Sequence, residues 1–275
     1  MRLGLSIPGT VGPAGRSLES TLARCLDLGI VVVEVAIDTL EIELEAPVPT
    51  VPIEPPPADG LAFGLLELEE DVLRDSYELA KQTFDAQVQA WRTTVALAPL
   101  ADLRRVWHEA DVSIEIVRVP HLVLWSDDEV DYACRVARAV GARTLTTCAS
   151  LAGPRRLVAL ADRHDLQLSF TNDETTSAAE LGRILQHDDS ITVGVDIDAW
   201  TTGGLGSPVP FLKEHGPRIS HVRVKNVDKT LLVEVLRLIR DNAWTLPVML
   251  AIDQTGDAWL SAARDALDDC DAALR

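Results

Sequence analysis

The chain has 275 residues, 47% of them apolar, and a formal net charge of −18 from 43 acidic against 25 basic side chains. Its length and apolar share suit one large βα-barrel or two small domains with a sizeable core, and no apolar run approaches a membrane span. The acidic balance argues against nucleic-acid backbones and anionic membrane surfaces as partners, since both need clustered Lys and Arg.

In chain order, residues 2–7 alternate as a strand, with Leu3, Leu5 and Ile7 on one face. Ser17 can cap a helix that runs to about Gly29. In the following IVVVEVAID run, Val31, Val33, Val35 and Ile37 form one face, and Glu34, Ala36 and Asp38 the other. A carboxylate such as Glu34 in a valine run is costly unless it meets a partner or a polar cavity. Residues 39–60 break the rhythm, because the prolines between Pro47 and Pro57 exclude regular structure. This Pro-rich insertion reads as a lid over a site, a surface loop, or an arm that packs on another subunit and would make the protein a homo-oligomer.

Helical patterns then cover 66–90 and about 99–110, and lead into a strand at 112–119. Ser126-Asp-Asp-Glu129 is a capping box that opens a helix to about Val140. Strand 142–148, helix 154–164 and strand 166–171 follow. A second capping box, Ser177 to Glu180, starts the next helix. Strand 191–197, helix 208–215, strand 219–225, helix 229–242, strand 247–252 and helix 257–273 complete the series. Strands followed by helical patterns, with no break in composition, predict an α/β chain forming a single (β/α)8 TIM barrel over 1–275. A doubly wound sheet should show G-x-G-x-x-G after the first strand, and PGTVGPAGRS lacks it.

Barrel enzymes keep their chemistry at the C-terminal strand ends. Taking the less apolar parity of each strand as its inner face selects Ser6, Glu34, Cys148, Thr171 with Asp173 beyond it, Asp196, Arg223 with Lys225, and Asp253. Val117 and His121 are the candidates from the third strand and its loop. The stretch Ile191–Asp228 is the centre of this reading. Its first strand ends on Asp196, and its second carries His221, Arg223 and Lys225 on one face. His221, early in that strand, is expected toward the opposite end of the barrel. The GGLGSP run at 203–208 ends with Ser207 at an N-cap and Pro208 at the first helical position. Trp91, Trp200 and Trp244 are core if buried, and a sugar-stacking surface if exposed at the strand ends. The cysteines Cys25, Cys134, Cys148 and Cys270 lack C-x-x-C spacing and read as free thiols. With no signal-peptide pattern after Met1, they point to a reducing, cytoplasmic setting.

Several segments together carry a resemblance. They are AWRTT with Trp91 and Arg92, DDEVDYACRVARAVGAR (127–143), ADRHDLQLSF (161–170), FLKEHGPRISHVRVKN (211–226) and LRLIRDNAWTLPVMLAID (236–253). Through them the chain resembles the xylose isomerase-like TIM barrels, the sugar phosphate isomerases and epimerases, over nearly its whole length. The resemblance implies a divalent metal (Mn²⁺, Zn²⁺ or Mg²⁺) held by ligands from strands five to eight. On this chain those positions carry Thr171-Asn172-Asp173, Asp196, Arg223 and Asp253. Thr171 and Arg223 thus stand where ligands are expected, and Asn226 replaces an Asp.

Metal binding by Asp196 and Asp253 is therefore expected to be weak or absent. Arg cannot be a ligand, because its guanidinium keeps its proton. The expectation is that Arg223 takes the metal's electrostatic role by neutralising Asp196 and Asp253. The function implied is proton transfer next to a carbonyl of a sugar or related polyol. Asp253 or Glu34 would act as base and Arg223 or Lys225 as electrophile, with Asp173, Asn226, His121 and Trp200 contacting the carbohydrate. The alternative is a catalytically degenerate barrel that binds a carbohydrate or protein partner without turnover. A repair nuclease of the endonuclease IV type would need a His- and carboxylate-rich site that this chain lacks.

Overall fold

Runs such as VVEVA and TVGVD are buried almost from end to end, with one face all valine, as strands of a parallel sheet covered on both sides must be. The computed structural model describes residues 2–7, 18–48, 67–225, 228–251, 265, 268–270 and 272, with the helical backbone alone for 67–75. The elements are β1 (Arg2–Ile7), α1 (Leu18–Leu28), β2 (Val32–Ala36), α2 (Ile37–Glu43), α3 (Glu67–Thr94), α4 (Ala98–Glu109), β3 (Ser113–Arg118), α5 (Asp127–Val140), β4 (Thr144–Cys148) and α6 (Pro154–Asp162). They continue with β5 (Gln167–Thr171), α7 (Ala178–Leu185), β6 (Thr192–Asp196), α8 (Ile197–Thr202), α9 (Val209–His215), β7 (Ile219–Val224), α10 (Lys229–Asp241) and β8 (Pro247–Ala251). All neighbours pair in parallel, and β8 returns to β1 to close an eight-stranded barrel.

Two apolar layers hold it. The larger lies between strands and helices and includes Val33, Val35, Ile114, Val117, Val193 and Val222. The smaller, Val32, Ile116 and Met249, plugs the lumen. Gly4 of β1 sits between them: a Cβ there would lie 2.7 Å from Met249 Sδ and 2.8 Å from the Val32 carbonyl oxygen. A side chain on β1 and the Met249 plug therefore cannot share this space.

Both expected capping boxes form, with Ser126 and Glu129 opening α5 and Ser177 and Glu180 opening α7. Arg92, near the end of α3, anchors that long helix to the barrel. It pairs with Glu41 of α2 at 2.8 Å and Glu129 of α5 at 3.0 Å, and its guanidinium lies 3.9 Å from the Trp125 ring centre. Side chains on this helix face thus meet α2 and α5 through one buried cation.

Four expectations need correction. Ile37 and Asp38 are not strand and residues 39–43 are not irregular; all belong to α2, which follows β2 directly, since the prolines begin only at Pro47. The segment after β6 opens with a short helix, α8, because Asp196 caps it through Oδ1, which accepts from Ala199 N at 3.1 Å. Helix α9 starts at Val209, one residue late, with Ser207 Oγ accepting from Val209 N at 3.2 Å.

The fourth concerns β3. Register with β2 runs Val33 to Ile114 and then Glu34 to Ile116, so Glu115 is an extra residue. That bulge reverses the inner parity. Ile116 and Arg118 therefore face the lumen, and Val117 joins the outer layer. Ser17, residues 49–60, Asn226, Asp253 and most of the helix expected at 257–273 lie outside the described residues. Residues 265, 268–270 and 272 are helical.

Candidate functional site

Glu34 ends the inner face of β2 with its side chain wholly buried. Such a carboxylate must be paired, and the partner is Arg223, which crosses the lumen from β7. Arg223 donates through Nε to Glu34 Oε2 at 3.3 Å and through a terminal nitrogen to Glu34 Oε1. Its other terminal nitrogen donates to Asp196 Oδ2 on β6 at 3.2 Å. Arg118 stands beside them, with Nε 3.5 Å from Glu34 Oε1, a charge contact rather than a hydrogen bond. Two carboxylates and two guanidiniums from β2, β3, β6 and β7 thus form a neutral buried cluster at the C-terminal strand ends.

The charges set one another's protonation. Burial alone would raise the Glu34 carboxyl, but the Arg223 guanidinium, with Arg118 behind it, holds it well below the usual carboxylate range. Burial likewise opposes the charge on Arg223, and Glu34 and Asp196 outweigh it. The Glu34 carboxylate is therefore ionised, and both carboxylates of the cluster are turned to a cation.

Asp196 is held from two further directions. Asn172 accepts from Asp196 N at 2.8 Å and donates to Asp196 O at 2.9 Å, fixing the strand end. Its Oδ1 is committed to the start of α8. Beneath the cluster lies His221, completely buried. It is on the face of Arg223, as the strand period put it, but level with Gly194 just under the cluster rather than toward the opposite end; Ser220 is an extra residue against β6, where register jumps from Val193–Ile219 to Gly194–His221.

Gly194 makes room for the ring, since a Cβ there would lie 2.2 Å from His221 Cε1 and 2.8 Å from Thr171 Oγ1. Ser220 Oγ is 2.9 Å from His221 Nδ1 and 2.6 Å from Ser169 Oγ, and it donates to Val193 O at 3.2 Å. Ser220 has one hydrogen for Val193 O, Ser169 Oγ and His221 Nδ1, so where it goes sets the His221 tautomer, and among the described residues Nε2 has no hydrogen-bond partner. Burial pushes the imidazole down to about 4, so it is neutral at pH 7.

The other candidates are spread around this centre. Thr171 Oγ1 is 2.7 Å from Thr146 Oγ1 inside the barrel. Asp173 Oδ1 accepts from the backbone and hydroxyl groups of Thr175 and Thr176, at 2.8 to 2.9 Å, so this oxygen closes its own loop. His121 is exposed after β3, in the left-handed region with φ 53°. Lys225 is half-buried one residue past β7, and Cys148 is half-buried at the end of β4. Trp200 is packed in the core, with its ring 5.2 Å from that of Phe211, and presents no face at the strand ends. Sequence reasoning missed Arg118, because of the bulge; it put His221 on the face of Arg223, but set it toward the opposite end of the barrel. A groove of about 620 Å³ between α7 and α9 shares no residue with this cluster.

The metal implied by the resemblance does not fit this donor set. The fifth-strand position offers a hydroxyl already bonded to Thr146, and the seventh-strand position offers a guanidinium. Among the described residues, no three His, Cys, Asp or Glu side chains are grouped to hold an ion. A divalent ion about 5 Å from Arg223 would be repelled by roughly 7 kcal/mol at an effective dielectric of 20.

No protein-family model matches the sequence, and a comparison with curated proteins finds no relative. Solved structures do match. D-psicose 3-epimerase from Clostridium cellulolyticum, solved with D-tagatose, has a TM-score of 0.62 and 10% identity, over 100% of this chain and 97% of that one. A sugar phosphate isomerase/epimerase from Parabacteroides distasonis has a TM-score of 0.60 and 11% identity, over 100% and 95%. Endonuclease IV from Thermus thermophilus has a TM-score of 0.53 and 12% identity, over 100% and 99%. The eight-stranded parallel TIM-barrel fold is thereby shown; at such identities the likeness is one of fold.

Proposed function

We propose that this barrel binds a carbohydrate or related polyol at its C-terminal mouth, and that the Glu34–Arg223–Asp196 cluster orients the ligand without taking a proton from it. The observation that carries this reading is the commitment of both carboxylates. A general base needs a free lone pair within reach of substrate. Glu34 is inaccessible and doubly bonded to Arg223, and Asp196 divides its oxygens between Arg223 and the α8 backbone. The ligand class is supported by the likeness to barrels described as sugar epimerases and isomerases. In this reading Arg223 and Lys225 donate hydrogen bonds to hydroxyl or carbonyl oxygens, while Asp173 and His121 line the rim. No nucleic acid or membrane takes part.

The second reading is a sugar isomerase or epimerase, and the two matched isomerase/epimerase barrels favour it. Its base would be Asp253 and its electrophile Arg223 or Lys225. One experiment separates the two. The protein is mixed in D2O with a panel of ketoses and their phosphates, and proton NMR follows both saturation transfer and loss of the hydrogen next to the carbonyl. The expected result is saturation transfer with no deuterium incorporation. Incorporation would establish the isomerase reading instead, and silence in both would overturn carbohydrate recognition.

A further inference from the structure

We infer that Arg223 is the permanent cation of this barrel, standing in the lumen in place of a divalent metal and keeping one out. The inference concerns the protein without any ligand, so it stands or falls apart from the carbohydrate reading.

The topology carries it first. β2 and β6 are four positions apart in a ring of eight, so Glu34 and Asp196 project from opposite walls. One guanidinium from β7 reaches both. A cation that links carboxylates from opposed strands does mechanically what a lumenal ion does, and ties the walls of the mouth together. The planar fork of Arg is suited to this, because it can engage Glu34 side-on and still keep a third nitrogen for Asp196.

The donor count carries it further. Glu34 Oε1 and Oε2 each accept from Arg223, Asp196 Oδ2 accepts from Arg223, and Asp196 Oδ1 accepts from Ala199 N. All four oxygens are thus directed at donors, and they do not converge on a shared point. His221 lies one inward-facing position below Arg223 on the same strand. Its Nε2 lies 2.5 Å from where a Cβ on Gly194 would stand, and it makes no hydrogen bond to either carboxylate. Arg118 adds a second guanidinium against Glu34. The Arg223 guanidinium keeps its proton, so it offers an ion no lone pair.

The test is a Mn²⁺ titration of the full chain after chelator treatment, with free Mn²⁺ read by electron paramagnetic resonance and thermal unfolding followed in parallel. The wild-type protein is expected to leave Mn²⁺ free, with an unfolding midpoint unmoved by Mn²⁺ or by chelator. Arg223→His releases both carboxylates and places an imidazole beside Asp196. It is expected to bind Mn²⁺ about tenfold or more tightly than wild type, with a midpoint that rises as Mn²⁺ is added.

Arg223→Lys keeps the charge and is expected to stay metal-free. It serves as the second variant if Arg223→His does not fold. Stoichiometric Mn²⁺ in the wild type overturns the inference. A folded Arg223→His with no gain in Mn²⁺ affinity also overturns it, as does Mn²⁺ binding by Arg223→Lys.

Discussion

Arg223 makes three hydrogen bonds to two carboxylates, and one of these has no access to water. Removing the guanidinium leaves Glu34 as a buried charge supported only by the longer contact to Arg118. Arg223→Met is therefore expected to destabilise the fold by about 3–5 kcal/mol, while Arg223→Met with Glu34→Leu recovers much of that loss. Urea unfolding of the two single variants and the double variant measures the coupling. Strict additivity would mean that the pair is not the unit described here.

At this scale the sequence was informative about Glu34 and Arg223, since a charge inside a valine run announces a partner. It could not reveal Arg118, which lies just beyond the extra residue Glu115, since a period-two reading fails wherever register slips by one. It put His221 on the face of Arg223, but not at its depth beneath the cluster.

Among the elements, those with local start signals were legible from sequence. Helices α5 and α7 begin at Ser-x-x-Glu boxes whose reciprocal bonds satisfy end donors without help from distant residues. Ser126→Ala is expected to cost about 1 kcal/mol and to speed amide exchange in the first turn of α5. Hydrogen exchange at Asp128 to Val130 checks it, and unchanged protection there would show that the cap is redundant. The end of α2 and all of α8 escaped notice for complementary reasons. Helix α2 follows β2 without a break and precedes a Pro-rich run that suggested irregular structure throughout. Helix α8 spans only six residues, and its cap is the same Asp196 that reads as a site carboxylate. Helix α3 was visible as a pattern, but its attachment through Arg92 to Glu41 and Glu129 depends on residues 51 and 37 positions away.

For the whole molecule, pH provides the test of the buried centre. His221 is held neutral in the fold down to about pH 4, whereas an unfolded histidine takes up its proton near 6.5. The unfolded state therefore binds more protons in that window. Stability is full above 6.5 and falls as pH drops toward 4, by at most about 1.4 kcal/mol per pH unit and on the order of 3 kcal/mol in all. Glu34, whose carboxyl is lowered in the fold, adds a further loss below its ordinary value of 4.5. His221→Gln is expected to flatten the slope in the upper window and leave the acid limb due to Glu34. Urea midpoints taken across the window report it, and an unchanged slope would remove His221 as the source.

The sequence by itself pointed to the barrel, because alternating strand and helix periods with apolar strand runs call for a parallel sheet covered by helices, and the fingerprint of the open doubly wound sheet is missing after the first strand. It also determined that polar charge would gather at the C-terminal strand ends, since Glu34, Asp196 and Arg223 are legible there. Tertiary structure decided which of them meet. Arg223 was expected between Asp196 and Asp253; in the described residues it joins Asp196 to Glu34, across a lumen that brings residues 189 positions apart into contact. Such a pairing is set by barrel closure, by two one-residue bulges and by the space left at Gly194. None of these has a local signature in the chain, because each depends on how one strand registers against another.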